Sequence, residues 1–201
     1  MSCNFKSVLK GKNACKENPA GVSNYCMIVP FADAVDMTSE DGFIASVTIS
    51  DDHNMYIITP EGSGSTLKGY RVDFKNQTGQ VTSDDNGSGK GNTVTGTGRV
   101  EIGIDEMALL SRTLSNLDGN FLAFFPTGVK KADPTDTAAE PTLVTEWLVV
   151  GNPQGDVSWT RTTDTGAARQ DDHGTTFQVV CDFQVYDTVK YYGEISQADA
   201  A

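Results

Sequence analysis

Between Leu67 and Ile104 apolar side chains recur at every second position on either side of a tip that has none. Tyr70, Val72 and Phe74 form one trio; Val100, Ile102 and Ile104 form another. Successive side chains of a β-strand point to opposite faces, so this spacing puts each trio on one face, with Arg71, Asp73, Lys75, Glu101 and Gly103 on the other. Between the trios lie a Gln77-Thr78-Gly79 turn, a strand start at Gln80-Val81-Thr82, and a polar tip. The tip comprises Ser83, Asp84, Asp85, Asn86, Gly87, Ser88, Gly89, Lys90, Gly91 and Asn92. With no apolar side chain it has no core of its own to enter. The pattern predicts strands over 67–75 and 93–104 and a long hairpin whose arm projects from a sheet and takes its order from a partner surface.

The rest of the chain continues in short β-prone runs. Asn18-Pro19-Ala20-Gly21 has turn chemistry and precedes a first strand over 22–31. Phe43, Ala45, Val47 and Ile49 alternate with Ile44, Ser46 and Thr48, and Met55–Thr59 returns after an Asp51-Asp52-His53-Asn54 turn, which predicts a hairpin. One helix stands out. Asp105 is a candidate N-cap, Glu106 complements the helix dipole, Met107, Leu110, Leu114 and Leu117 make one stripe, and Asp118-Gly119 stops it. Phe121–Phe125 predicts a buried strand and Pro126–Pro141 a surface loop. Residues 142–162 predict a hairpin around Gly151–Gly155. Thr175–Tyr186 predicts a long strand with Phe177, Val179, Cys181, Phe183 and Val185 on one face. The sum is an all-β, antiparallel sandwich or barrel with one flanking α-helix and a long projecting hairpin loop. Residues 1–17 form an N-terminal extension, 18–195 the domain, and 196–201 a disordered tail.

Charge narrows the partners. A formal net charge of −12 over 201 residues gives an acidic surface, which repels phosphate backbones and anionic membranes. Such a wall suits DNA that must slide past without sticking, and it also serves plain solubility. The segment Met1–Lys12 is the exception: Lys6, Lys10 and Lys12 accompany Phe5, Val8 and Leu9, as befits either an arm that docks on something else or a frayed tail. Cys3, Cys15, Cys26 and Cys181 lack metal-binding spacing and are expected as free thiols of a reducing cytoplasm. No apolar run reaches membrane-spanning length.

Catalytic patterns are missing. His53 and His173 each sit in an acidic turn, with neither a nucleophile nor metal-ligand spacing nearby. Asp84–Gly87 lacks the alternating ligands and closing Glu of a calcium loop, and Gly89-Lys90-Gly91 lacks the spacing of a phosphate loop. Trp147 and Trp159 admit two readings, a carbohydrate platform or core packing, and the apolar neighbours of Trp147 favour the core. No catalytic, cofactor or metal residue is expected, and no enzyme activity. What remains are features suited to assembly: a basic extension, an unburied hairpin tip, and strand edges with little protection against pairing with another copy.

The phrase Tyr70-x-Val-x-Phe-Lys-x-Gln-Thr-Gly79, the polar-tipped hairpin, the Leu-rich helix 105–117, the Phe121 strand, Glu146-Trp-Leu-Val-Val-Gly151 and Asp164-Thr-Gly166 before the last long strand resemble tailed-bacteriophage structural proteins. The closest likeness is to tail tube subunits, over roughly residues 18–193. The resemblance implies a β-sandwich subunit in stacked rings, usually hexameric, with inner strands joined into a continuous barrel through which DNA is ejected. It implies a virion protein, made in the host cytoplasm, whose partners are itself and other tail or connector proteins, with DNA passing unbound and no membrane. The inter-subunit stacking loop then falls on Ser83–Asn92. The inter-ring docking arm falls on Met1–Lys16, with Phe5, Lys6, Val8, Leu9 and Lys10 as its contacts. The alternatives are a capsid decoration or head–tail joining protein, a carbohydrate-binding module, and a hydrolase built on the acidic turns.

Overall fold

The computed structural model describes residues 22–34, 42–50, 54–62, 66–75, 77–87, 91–100, 104–138, 140–164 and 174–198. Twelve strands and one α-helix occupy them: β1 (Tyr25–Pro30), β2 (Ile44–Ser50), β3 (Met55–Pro60), β4 (Leu67–Asp73), β5 (Gln80–Asp85), β6 (Asn92–Val100), α1 (Ile104–Leu117), β7 (Phe121–Ala132), β8 (Leu143–Val150), β9 (Ser158–Asp164), β10 (Gly174–Gln184), β11 (Val189–Tyr192) and β12 (Ile195–Gln197). The predicted all-β sandwich or barrel with a flanking helix is the observed class. Eight strands form one sheet in the order β12-β4-β1-β7-β8-β11-β3-β2, and four form a second in the order β5-β6-β10-β9.

The large sheet curls on itself. The amide of Lys68, in β4, donates to the carbonyl of Gly42 at 2.8 Å, and Phe31 bridges Ile44, so the β2 end of the sheet returns towards the β4 end. Met27, Val29, Tyr56, Leu122, Phe124, Trp147, Val149 and Val189 fill the curl. Alternate residues of the same strands, among them Cys26, Ile28, Ala123, Phe125 and Val150, face a second core shared with Val94, Phe177, Val179 and Cys181 of the small sheet. Strands β1 and β7 are therefore buried on both faces, which is why their sequences run apolar without alternation. Of the predicted helical stripe, the side chains described, Leu114 and Leu117, are buried in this second core.

Sequence and structure part company at changes of sheet and at bulges. The run 67–104 is not a single hairpin: β4 pairs with β1, whereas β5 pairs with β6. Tyr70, Val72 and Phe74 share the sandwich core with Val100, and the two runs meet directly only at their ends, where Phe74 makes an isolated antiparallel bridge to Val100 and the Lys75 amide donates to Arg99 O at 2.7 Å. The return strand ends at Val100, and Ile104 opens α1. Likewise 142–162 is no hairpin, since β8 belongs to the large sheet and β9 to the small one. The Gly151–Gly155 turn carries the chain between the layers. Its Gly151, at φ 134°, lies where a Cβ would come within 2.5 Å of Leu122, its carbonyl accepts from the Tyr56 hydroxyl at 2.7 Å, and its amide donates to Gln184 Oε1 at 3.0 Å.

Three bulges shift the alternation. Between Ile44 and Ser46 the extra residue, Ala45, puts Ile44 in phase with Val47 and Ile49 on the barrel face, against the predicted Phe43-Ala45-Val47-Ile49 set. In β7 the shift between Pro126 and Lys130, with Gly128 at φ 73°, lets the strand run on to Ala132, so the predicted loop is shortened at its start. Pro126 fits because the ladder is already interrupted there. In β10 the shift between Cys181 and Gln184 turns Phe183 and Val185 outward, 62% and 54% exposed, and Gln184 inward. Residues 196–198, expected in a terminal tail, belong to the end of the fold: β12 pairs parallel to β4, and the Ala198 amide donates to Gly69 O at 2.9 Å.

Candidate assembly surface

The four-stranded sheet presents two unlike faces. Towards the core, β6 offers Val94, Gly96, Gly98 and Val100, and β10 offers Phe177, Val179 and Cys181. Away from it, β6 offers Thr93, Thr95 and Thr97. Register sets Thr95 between Thr82 and Val180, and Thr97 between Gln80 and Gln178; Thr160 and Thr162 of β9 lie opposite Gln178 and Thr176. The central rows of this face are therefore mostly hydroxyls and amides, with Val180 among them and Arg99 of β6 beside Thr176, on a chain of net charge −12. Among the described residues no strand lies beyond β5 or β9, so the outer backbone groups of both edges can accept another strand.

The predicted stacking loop is shorter than its sequence suggested. Ser83, Asp84 and Asp85 are strand residues paired with Val94, Thr93 and Asn92, and Asn86, Gly87 and Gly91 form the described part of the tip. Ser88, Gly89 and Lys90 fall outside the described residues, as do Phe5, Lys6, Val8, Leu9 and Lys10 of the docking arm and both histidines with Asp171 and Asp172. The base of the tip is fastened to the β10 bulge. Asn86 Nδ2 donates to Asp182 O at 2.8 Å, Thr93 Oγ1 donates to Asn86 Oδ1 at 3.0 Å, and Gly91 passes so close that a Cβ would sit 2.9 Å from Gln184 O. Beside it, Phe183 and Val185 are the large apolar side chains that the structure leaves in solvent at this end.

A groove of about 570 Å³ opens at the β9 edge, between the C-terminal turn of α1 and the ends of β9 and β10. Leu114, Val157, Trp159 and Phe183 contribute its apolar wall, and Asp118, Asp156 and Asp182 its charge, with no lysine or arginine in the lining. Asp118 and Asp156 both adopt left-handed backbone, φ 47° and 55°, where the chain leaves α1 and enters β9. Sequence reading missed this groove because its three aspartates come from three separate places, the end of α1, the approach to β9 and the bulge of β10.

The remaining polar cluster is internal. Glu146, 0% exposed, lies 3.2 Å from Lys131 Nζ and 3.1 Å from Lys190 Nζ, and accepts from the Tyr192 hydroxyl at 2.9 Å and from Thr127 Oγ1 at 3.3 Å. Burial by itself pushes the carboxyl up, but Lys190, together with the hydrogen bonds from Tyr192, Lys190 and Lys131, holds it below the ordinary carboxylate value. Every acceptor is matched, which marks a structural ion cluster of the β7–β8–β11 corner. Trp147 and Trp159 lie in different cores, so they share no platform for a sugar. Cys26 and Cys181 are buried free thiols, both pushed up by burial. Among the described residues no group of His, Cys, Asp or Glu is poised to hold a metal, and no helix is long and apolar enough to cross a membrane.

Comparison with protein-family models, with curated proteins and with solved structures finds no match to this chain.

Proposed function

We propose that this protein is a structural subunit of a tailed-bacteriophage virion, a tail tube protein that closes into rings and stacks them into a channel for DNA. The observation that carries the reading is the four-stranded sheet with two open edges and an outward face rich in threonine and glutamine. Its strands alternate in direction, and four is even, so β5 of one copy meets β9 of the next antiparallel and the alternation continues across the joint. Repetition about an axis closes the sheets into one barrel. Six copies, the number implied by the family resemblance, give a barrel on the order of 48 Å across at the backbone, from about 4.8 Å per strand and a tilt of about 40°. Threonine and glutamine would line most of the lumen, and Arg99 would be the one cation that the described strands of this sheet turn towards the phosphates of duplex DNA.

In this reading the subunit has no catalytic step. It works by presenting edges and a hairpin end to identical neighbours and to other tail or connector proteins. Negative-stain microscopy of the purified chain over rising concentration is the test. Rings or tubes support the reading; a strictly monomeric species at high concentration overturns it.

A further inference from the structure

The acidic groove and the basic N-terminal segment complement each other. Residues 1–16 contain Lys6, Lys10, Lys12 and Lys16, no carboxylate, and the apolar Phe5, Val8 and Leu9. The groove contains Asp118, Asp156 and Asp182 over an apolar wall. A segment that alternates lysine with apolar side chains can put its stems and rings on such a wall and its ammonium groups on the aspartates.

The place where the described chain begins favours the adjoining copy as the source of the segment. The described chain begins at Val22, which packs beside Gly79 at the start of β5: a Cβ on Gly79 would lie 3.7 Å from Val22 Cβ and 2.9 Å from Ser23 O. The groove opens at β9, the opposite edge of the same sheet, about 14 Å away across three strand spacings and at the far end of the strands. If β5 of one copy abuts β9 of the next, Val22 of the first copy comes to the side of the neighbour's groove. The chain from Phe5 to Val22, which extended reaches on the order of 55 Å, is long enough to cross the joint and lie in it.

We infer that the N-terminal segment 1–16 of each subunit docks in the Asp118–Asp156–Asp182 groove of the adjoining subunit in the same ring, clasping the β5–β9 joint. This rests on the ring reading of the preceding subsection and gives the segment a lateral clasp, with named residues on both sides, in place of the inter-ring role that the family resemblance implies.

Charge exchange tests it in the full chain. One variant reverses the arm: Lys6→Glu, Lys10→Glu and Lys12→Glu. Another reverses the groove: Ser115→Lys, Asp118→Asn, Asp156→Asn and Asp182→Lys, with asparagine chosen because it tolerates left-handed backbone. Thermal melting of each, unchanged within a few degrees, shows that folding is intact. Each variant by itself is expected to need about tenfold more protein to form rings than the native chain. An equal mixture is expected to recover native assembly, because alternating copies then match arm to groove. Rings from the native chain with no effect of either variant overturn the clasp and leave the ring reading standing. Failure of the mixture, combined with recovery in a single chain carrying both sets, would show that the arm folds back on its own subunit and equally overturns it. A native chain that stays monomeric overturns clasp and ring together.

Discussion

The ring of Phe125 lies over Gly96, so near that a Cβ on that glycine would sit 2.3 Å from Phe125 Cζ; Phe74 covers Gly98 in the same way, at 2.4 Å. The two rings stack with centroids 6.1 Å apart. The glycines of Thr95-Gly96-Thr97-Gly98 are there for the aromatic side chains of the opposite sheet. Gly96→Ala must displace a fully buried ring and is expected to cost about 1–3 kcal/mol, read as a lower denaturation midpoint. Thr95→Ala, one position away on the solvent face, should change it by about 0.5 kcal/mol or less.

Gln184 is buried where the predicted pattern called for an outward side chain. Its Nε2 donates to Val149 O at 3.1 Å and its Oε1 accepts from the Gly151 amide at 3.0 Å, which ties β10 to the turn between the sheets. Replacement by Leu leaves both backbone groups buried and unpaired, and a loss of about 2–4 kcal/mol is expected in chemical denaturation.

Glu146 gives the fold an acid sensitivity. Its carboxyl is held below the value of 4.5 that it would have in the unfolded chain, so the unfolded state binds a proton first as pH falls. The stabilisation is fully present above about pH 5 and is lost as pH drops through the folded value. Glu146→Gln should destabilise at neutral pH by about 1–3 kcal/mol, since Lys131 and Lys190 keep some solvent, and should flatten the dependence of the melting temperature on pH below 5.

The β9 edge can be closed without touching either core. Thr160 and Thr162 are exposed there, and lysine on an edge strand disfavours pairing with a further strand. Thr160→Lys with Thr162→Lys should leave melting unchanged within about 0.5 kcal/mol. Rings should be absent in micrographs of the variant at concentrations where the native chain forms them; rings in equal number would place the joint elsewhere.

If the hairpin end is the stacking element, shortening it should separate stacking from folding. Asn86 and Gly91 are bound to the β10 bulge, while Asp84, Asp85 and Gly87 face solvent. Replacing residues 87–90 by a two-residue turn keeps the paired strands, so the expected product is a folded subunit that makes single rings and no tubes, checked by microscopy alongside circular dichroism.

Much of this architecture could be read from residues, and the exceptions share a cause. Strands β1, β3 and β4, helix α1 and the hairpin β2–β3 follow from alternation, turn residues and the leucine stripe. Periodicity reports which way a side chain points only while the count of residues is unbroken. The bulges at Ala45, in β7 after Pro126 and after Cys181 each reset the count, and that is why plain alternation predicts Phe183 and Val185 inside while the structure turns them out. Sheet membership is a longer-range matter. A short turn between β8 and β9 reads as a hairpin, and only the buried anchors of Gly151 send the chain across to the other layer. Thr93-x-Thr95-x-Thr97 stands in the sequence, but its neighbours on β10 are set by pairing that spans 77 positions from Arg99 to Thr176 and 81 from Thr97 to Gln178.

Strands β1 and β7 carry side chains of both cores on one backbone, Met27 and Val29 in the curl beside Cys26 and Ile28 in the sandwich. Neither interior can be opened while the other stays shut. The subunit should therefore melt in one cooperative step, with no partly unfolded species that keeps one layer. A tube built from such units would yield under load at its joints before any single bead of the chain came undone.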